Sequence, residues 1–297
     1  MKRHIYCVAG FNFLLTVPDY WNMEMLLPSF RPFRSYKTDK ELLFSVMMTS
    51  DSFNRQDDEP IKLIDKTDND FGSVSLYQYN HDYMINIHFG NEEYTHTMIV
   101  DSEFTKVTSY VCEADPHLTT AMSSMLHILF SQAILPHGAI AIHASAVSLD
   151  GMGYLFLGKS GTGKSTHSQL WIKKYCNCKL LNDDNPTIKV IGDKVVVYGT
   201  PWSGKTACYK NEYVPVKGIV RLFQSSVNKF LPVCDAEAFA ILLPSCSAIY
   251  SDKRLTDCLY DTVISVCETI RMGSLECRPD MEAATICHNE LNSNNII

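Results

Sequence analysis

The first third of the chain alternates between hydrophobic and polar residues in the way that β-strands do. Two such runs, His4–Ala9 and Phe11–Val17, flank Gly10 and predict a hairpin. Residues typical of turns separate the later runs. The further predicted strands are Leu42–Thr49, Ile61–Asp65, Ser73–Tyr79, Tyr83–Phe89, Tyr94–Val100 and Lys106–Cys112. The pattern predicts an antiparallel β-rich domain over residues 1–113, with one short helix near Asn22–Leu27.

The pattern changes at Asp115-Pro116, where apolar residues begin to repeat at helical spacing through about Leu135. Beyond this helix, predicted strands alternate with predicted helices, which is typical of an α/β domain. The predicted strands are Ile140–Leu149, Tyr154–Leu157, Lys179–Leu181, Thr187–Ile191, Val195–Tyr198, Gly218–Phe223 and Ser274–Cys277, and the predicted helices are Thr166–Tyr175, Asp235–Leu243, Asp252–Ile270 and one capped by Pro279-Asp280. We therefore expect a second domain over residues 114–297.

Composition narrows the classes of function. The formal net charge of -7, from 26 basic and 33 acidic residues, argues against a general nucleic-acid binder. No apolar run is long enough to cross a membrane, and the N-terminus predicts a strand rather than a signal peptide. The 11 cysteines include no CxxC pair, so we expect reduced thiols, no zinc site and a cytoplasmic location. A monomer and a homo-oligomer both stay open.

One segment fits the phosphate-binding pattern G-x-x-x-x-G-K-[ST]. It follows the predicted strand Tyr154–Leu157 and precedes a predicted helix, which is the structural context that this loop requires. Lys164 would reach the β- and γ-phosphates, and the Ser165 hydroxyl would bind Mg²⁺. The predicted substrate is ATP or another nucleoside triphosphate, and the predicted binding residues are Gly158, Ser160, Gly161, Thr162, Gly163, Lys164, Ser165 and Thr166.

A second segment, Gly199 to Thr206, also fits the pattern. No full helix can follow it because Pro215 comes soon after, and Pro201 lacks an N–H that a phosphate cradle would use. The segment is therefore not predicted to be a second nucleotide cradle. Lys205 either reaches a phosphate or substrate, or is a surface lysine on a structural turn.

Two further features could carry chemistry. Asp183 and Asp184 follow a short predicted strand, where carboxylates beside a phosphate-binding loop commonly bind Mg²⁺ or activate a nucleophile. The alternative is a plain turn, because Asn182 to Pro186 is rich in turn formers. His143 lies on the predicted strand before that of the loop, and a lone histidine there is more often a core residue than a catalytic one.

These segments together resemble a known family. Ile142 to Ala146, then the phosphate-binding loop, then Asn182-Asp183-Asp184 occur in the order found in HPr kinase/phosphorylase catalytic domains. The loop itself also resembles that of phosphoenolpyruvate carboxykinase, which has the same fold. The segments Gly199 to Thr206 and Cys277 to Asp280 resemble those of bacterial relatives of HPr kinase. The resemblance covers about residues 115–290.

The resemblance implies a P-loop domain of the HPr-kinase/carboxykinase type. It implies that Asp183 and His143 handle the proton of the acceptor and that Asp184 is a carboxylate on the metal side. Lys205 of the second segment is a further candidate catalytic residue. The expected activity is ATP- and Mg²⁺-dependent transfer of the γ-phosphate to a hydroxyl of an unidentified small molecule, peptide or protein. HPr itself is not predicted, because its docking loop has no clear counterpart. A non-catalytic nucleotide-binding regulator, and a phosphorylase or phosphatase, are the alternatives.

Overall fold

The computed structural model describes residues 1–36, 41–54, 61–69, 72–89, 93–204 and 206–293. The chain forms two compact units, Met1–Ala133 and Ile134–Ile297. The division lies after the helix that the sequence assigns to the second domain, rather than before it at residue 113. The reason is packing: the helix buries its apolar face within the first unit.

In its described part, the first unit contains one mixed sheet and two α-helices. Its elements are β1 (Lys2–Val8), β2 (Phe11–Val17), α1 (Met23–Leu26), β3 (Arg34–Ser35), β4 (Leu42–Thr49), β5 (Ile61–Asn69), β6 (Gly72–Tyr79), β7 (Asp82–Phe89), β8 (Thr95–Val100), β9 (Lys106–Tyr110) and α2 (Leu118–Ala133). The strand order among the described residues is β3-β1-β2-β4-β9-β8-β7-β6-β5. The predicted β1–β2 hairpin is confirmed.

The sequence predicts a wholly antiparallel first sheet, but the structure shows a mixed one. Strand β4 pairs in parallel with β2 on one side and with β9 on the other. Both connections are long, since α1 and β3 separate β2 from β4 and four strands separate β4 from β9, and long crossovers permit parallel pairing. The core contains Phe13, whose ring lies 4.7 Å from that of Phe44 and 6.4 Å from that of Phe130 on α2.

The second unit combines a second mixed sheet with four α-helices in its described part. Its elements are β10 (Ala139–Ala141), β11 (Ala144–Leu149), β12 (Met152–Leu157), α3 (Lys164–Lys174), β13 (Lys179–Asn182), β14 (Thr187–Ile191), β15 (Lys194–Tyr198), β16 (Tyr213–Gln224), β17 (Lys229–Val233), α4 (Asp235–Leu242), α5 (Lys253–Thr269), β18 (Arg271–Cys277) and α6 (Met281–Asn292). The strand order is β10-β14-β15-β16-β12-β11-β13, and β18 pairs with β16 and β17.

The centre of this sheet is parallel and positions the glycine-rich loop that begins at Gly158. Strands β12, β16 and β18 are parallel neighbours, and the loop follows the carboxyl end of β12. Helices α3 and α6 contact one another and contribute to a core that holds Phe156, Trp171 and Leu291. Ligands of such sheets bind beyond the carboxyl ends of the strands.

The predicted strand Ile140–Leu149 differs in the structure, whereas the predicted cap of the last helix is present. The run Ile140–Leu149 is two strands, because Ile142 and His143 form a break at which the His143 N–H donates to the Ser245 carbonyl at 2.7 Å. His143 is therefore in a break between strands and not within one. Asp280 caps α6 as predicted, accepting a bond from the Ala283 N–H. In the described part of the chain, no helix is long and apolar enough to cross a membrane.

Candidate functional site

The loop between β12 and α3 has the backbone of a phosphate cradle. Gly158, Gly161 and Gly163 all have positive φ angles, of 152°, 78° and 108°. At Gly158 a Cβ would lie only 3.1 Å from the Thr162 side chain, so the loop closes tightly there. Thr162 holds that curl by donating from its N–H and its hydroxyl to the Lys159 carbonyl.

Helix α3 starts directly from this loop without a side-chain cap. Its N-cap is Gly163, and no side chain accepts a bond from the first turn. The first N–H groups of a helix have no partner within the helix, and the helix dipole adds partial positive charge there. The Ser165 and Thr166 side chains in this turn are exposed. The arrangement therefore suits an anion.

Lys164 lies at the base of the loop and is only 8% exposed. Its Nζ donates to the Gly158 carbonyl at 3.0 Å and to His143 Nε2 at 2.8 Å. Burial lowers the pKa of Lys164 from its ordinary value, and the carboxylates of Asp184 and Asp183 oppose that shift. An ammonium has three N–H donors, so two are used and one is left for a ligand.

His143 connects Lys164 to the acidic pair. Its Nδ1 lies 3.1 Å from Asp184 Oδ1. Because Nε2 accepts from the Lys164 ammonium, we assign the ring proton to Nδ1, from which it donates to Asp184. The three side chains form a chain that runs lysine, histidine, carboxylate. The resemblance pairs His143 with Asp183, whereas the structure places it against Asp184.

Asp183 lies in a different environment from its neighbour. It is 5% exposed, and its Oδ1 accepts a 2.7 Å bond from the Ser145 hydroxyl. Ser145 Oγ is also 2.6 Å from Ser168 Oγ, and both serines are fully buried. Asp184 and His143 are partly exposed by comparison. Asp183 and Asp184 lie in the bend that follows β13, and their carboxylates have different surroundings there.

The second glycine-containing segment packs against this acidic turn. Asn182 is fully buried and donates to the Thr200 hydroxyl and the Trp202 carbonyl, while its Oδ1 accepts from the N–H groups of Asp184 and Asn185. Gly204 lies so close to Asp184 that an added Cβ would be 3.2 Å from the Asp184 Cβ. Asn182 thus ties the acidic turn to the second segment.

Lys205, the residue of greatest interest in this segment, lies outside the described residues. The described residue before it, Gly204, lies close to Asp184. The described residues that follow, 206–212, contain no helix.

The side chains also fit a magnesium ion. Among the described residues no group of three or more His, Cys, Asp or Glu side chains could hold a metal. Mg²⁺ in nucleotide sites needs fewer protein ligands, because it is bound by one or two oxygens of the protein, substrate phosphates and water. The exposed Ser165 hydroxyl and the partly exposed Asp184 carboxylate have this chemistry.

Sequence reasoning missed several residues that shape the site. Ser145 and Asn182 stand within the quoted motifs, so their position beside His143 and Asp183 was the available signal. Ser168 lies four residues after Lys164, and that helical spacing was its only signal. Gln224, at the end of β16, donates to the Gly161 carbonyl at 3.1 Å. No signal in the sequence indicated this contact.

Comparisons with known proteins add little to this geometry. A search of solved structures finds weak similarity to the HPr(Ser) kinase/phosphatase from Coxiella burnetii, with a TM-score of 0.32 and 12% identity over 51% of this chain and 87% of that chain. Similarity at this level supports no conclusion about activity. No protein-family model matches the chain, and no curated protein matches it.

Proposed function

We propose that the chain is a phosphotransferase that transfers the γ-phosphate of ATP, or of another nucleoside triphosphate, to a hydroxyl of an unidentified acceptor. One observation carries the proposal: the buried Lys164 side chain joins the glycine loop, through Gly158, to the His143–Asp184 pair. Groups that suit a phosphate and groups that suit proton transfer and metal binding therefore adjoin one another.

Nucleotide binding would use the loop and the start of α3. The N–H groups of the loop and of the first turn of α3, other than that of Thr162, and the third N–H of the Lys164 ammonium would bind the phosphates. The lysine is already fixed by His143 and Gly158, so little side-chain freedom would be lost on binding. Ser165 and Asp184 would hold Mg²⁺, which would neutralise charge on the phosphates.

Transfer would use the acidic pair. The acceptor hydroxyl would attack the γ-phosphorus, a bond to the acceptor oxygen would form, and the bond to the β-phosphate oxygen would break to release the nucleoside diphosphate. Asp183 Oδ2, which accepts no hydrogen bond from the described residues, would orient the hydroxyl and take its proton. His143 would hold Lys164 and Asp184 in place, and Lys205 would approach the transferred phosphate from the second segment.

Paired measurements on two variants test the separate roles of Asp183 in proton transfer and of Asp184 in Mg²⁺ binding. Mg-ATP affinity is measured by titration calorimetry. Turnover is measured as ADP formation with pools of hydroxyl-bearing small molecules, peptides and proteins. Asp183→Asn keeps the shape of the carboxylate but cannot accept the proton, so we expect loss of transfer with affinity within a few-fold. Asp184→Asn should instead weaken the dependence of binding on Mg²⁺.

Two outcomes contradict the proposal. If Asp183→Asn retains the turnover of the unaltered protein, Asp183 is not the acceptor group. If the unaltered protein binds Mg-ATP but transfers phosphate to no acceptor, a non-catalytic regulator explains the site better.

A further inference from the structure

The inference concerns two buried hydroxyls that the proposed reaction does not yet use. We infer that Ser145 and Ser168 are positioning residues, which fix the Asp183 carboxylate relative to the phosphate-binding helix through a directed chain of hydrogen bonds. The inference rests on the proposed function and extends it to residues that never touch the substrate.

The direction of the chain follows from proton counting. An ionised carboxylate can only accept, so the Ser145 hydroxyl donates its one proton to Asp183 Oδ1 at 2.7 Å. Ser145 therefore has no proton left for Ser168, although the two oxygens are 2.6 Å apart. Ser168 must donate to Ser145. The chain runs from Ser168 through Ser145 to Asp183.

Sheet register brings Ser145 and Asp183 together. In the antiparallel pair of β11 and β13, Ala146 lies opposite Asn182. The next residues in that register are Ser145 and Asp183. The Ala144 N–H then donates to the Asp184 carbonyl at 2.9 Å, which keeps the acidic turn attached to β11. The backbone thus fixes where Asp183 starts, and the Ser145 hydroxyl fixes where its carboxylate points.

Helical spacing connects the same chain to the nucleotide. Ser168 follows Lys164 by four residues in α3, so both lie on one face of that helix. Ser145 and Ser168 are fully buried, so water cannot replace either hydroxyl. A rotation of the Asp183 carboxylate would leave the Ser145 hydroxyl without an acceptor. The carboxylate therefore has one favoured orientation, with Oδ2 left for the acceptor.

The experiment measures the maximal rate of ADP release and the affinity for Mg-ATP in the full-length protein. Ser145→Ala should lower the rate about tenfold or more, because small displacements of a reacting group have effects of that order. Mg-ATP affinity should stay within about twofold, because no phosphate contact is removed. Ser145→Cys keeps a weak donor of similar size and should recover part of the rate.

A double-mutant cycle separates the chain from general loss of packing. If Ser168 acts only through Ser145, Ser168→Ala should lower the rate in the unaltered protein and have no effect in the Ser145→Ala background. Ser131→Ala is the matched control: Ser131 is also buried, but its hydroxyl donates to the Ile128 carbonyl in the first unit. It should leave the rate unchanged.

The outcomes separate this inference from the proposed function. An unchanged rate in Ser145→Ala, or independent rate losses that multiply in the double variant, overturns the inference and leaves the kinase proposal standing. A lower rate in Ser131→Ala of the same size would also overturn it, because buried serines in general would then be responsible. No turnover by the unaltered protein overturns the proposed function and the inference with it.

Discussion

The Lys164 side chain provides the sharpest test of nucleotide binding. We consider Lys164→Met, which removes the ammonium and retains an unbranched apolar stem in a site that is only 8% exposed. The variant loses the bonds to Gly158 and His143 as well as any bond to phosphate. Loss of the two internal bonds should lower the stability of the fold by about 1–3 kcal/mol.

The expected loss of affinity can be worked from the free donors. Two of the three N–H groups of Lys164 are already used, so one charge-assisted bond to phosphate is left. A hydrogen bond to a charged group contributes about 1.5–3 kcal/mol. Since each 1.4 kcal/mol is a factor of ten, Mg-ATP should bind about 10- to 150-fold more weakly. Burial limits screening of this contact by salt.

Titration calorimetry with Mg-ATP measures the effect, at a temperature where thermal melts show both proteins folded. Lys159→Met is the matched control, because Lys159 lies in the same loop and is exposed. It should change the affinity less than about threefold, as expected for a solvated charge. If Lys164→Met and Lys159→Met bind Mg-ATP equally well, the loop is not a phosphate site.

Three further predictions concern the loop, the second segment and the core. Gly163→Ala places a side chain at φ 108° with open space around it, so it should cost about 1–2 kcal/mol of stability and weaken Mg-ATP binding. The control Gly192→Ala, at φ 61° in the β14–β15 turn, should lower stability without changing Mg-ATP affinity. Equal Mg-ATP affinities of the two variants would contradict this prediction. Lys205→Ala should lower turnover more than ATP affinity, and a nucleotide-bound structure with its ammonium more than about 10 Å from the γ-phosphate would refute the idea. Burial lowers the pKa of His167 from 6.5 to about 4, so between these pH values only the unfolded chain takes up a proton at this residue. The free energy of unfolding therefore falls as the pH drops, by about 2 kcal/mol at pH 5. Urea unfolding of His167→Gln should show a flatter pH dependence. An unchanged pH dependence in that variant would show that other groups cause the loss.

The sequence alone predicted the local structure of the candidate phosphate site. Its requirements are local: a buried strand, glycines at positions of positive φ, and a helix that starts at once, all within consecutive residues. The hairpin of β1 and β2 and the Asp280 cap were predictable for the same reason, because each depends on residues close together in the chain.

The domain boundary could not be placed from the sequence. The helical spacing of its apolar residues predicted α2, and this was right. Apolar spacing along a helix does not indicate which sheet the helix packs against. That depends on residues far away in the chain, such as Phe13, whose ring lies near that of Phe130 on α2. The parallel pairings of β4 were also missed, because alternation predicts strands but not their neighbours.

The acidic pair shows the limit most clearly. The resemblance paired His143 with Asp183, whereas in the structure His143 contacts Asp184. Both carboxylates lie in the bend after β13, so the pairing of β11 with β13 sets which residues each of them meets. That register sets Ser145 against Asp183 and leaves Asp184 for His143. The residue types were fixed by the sequence, and only tertiary pairing gave each carboxylate its partner.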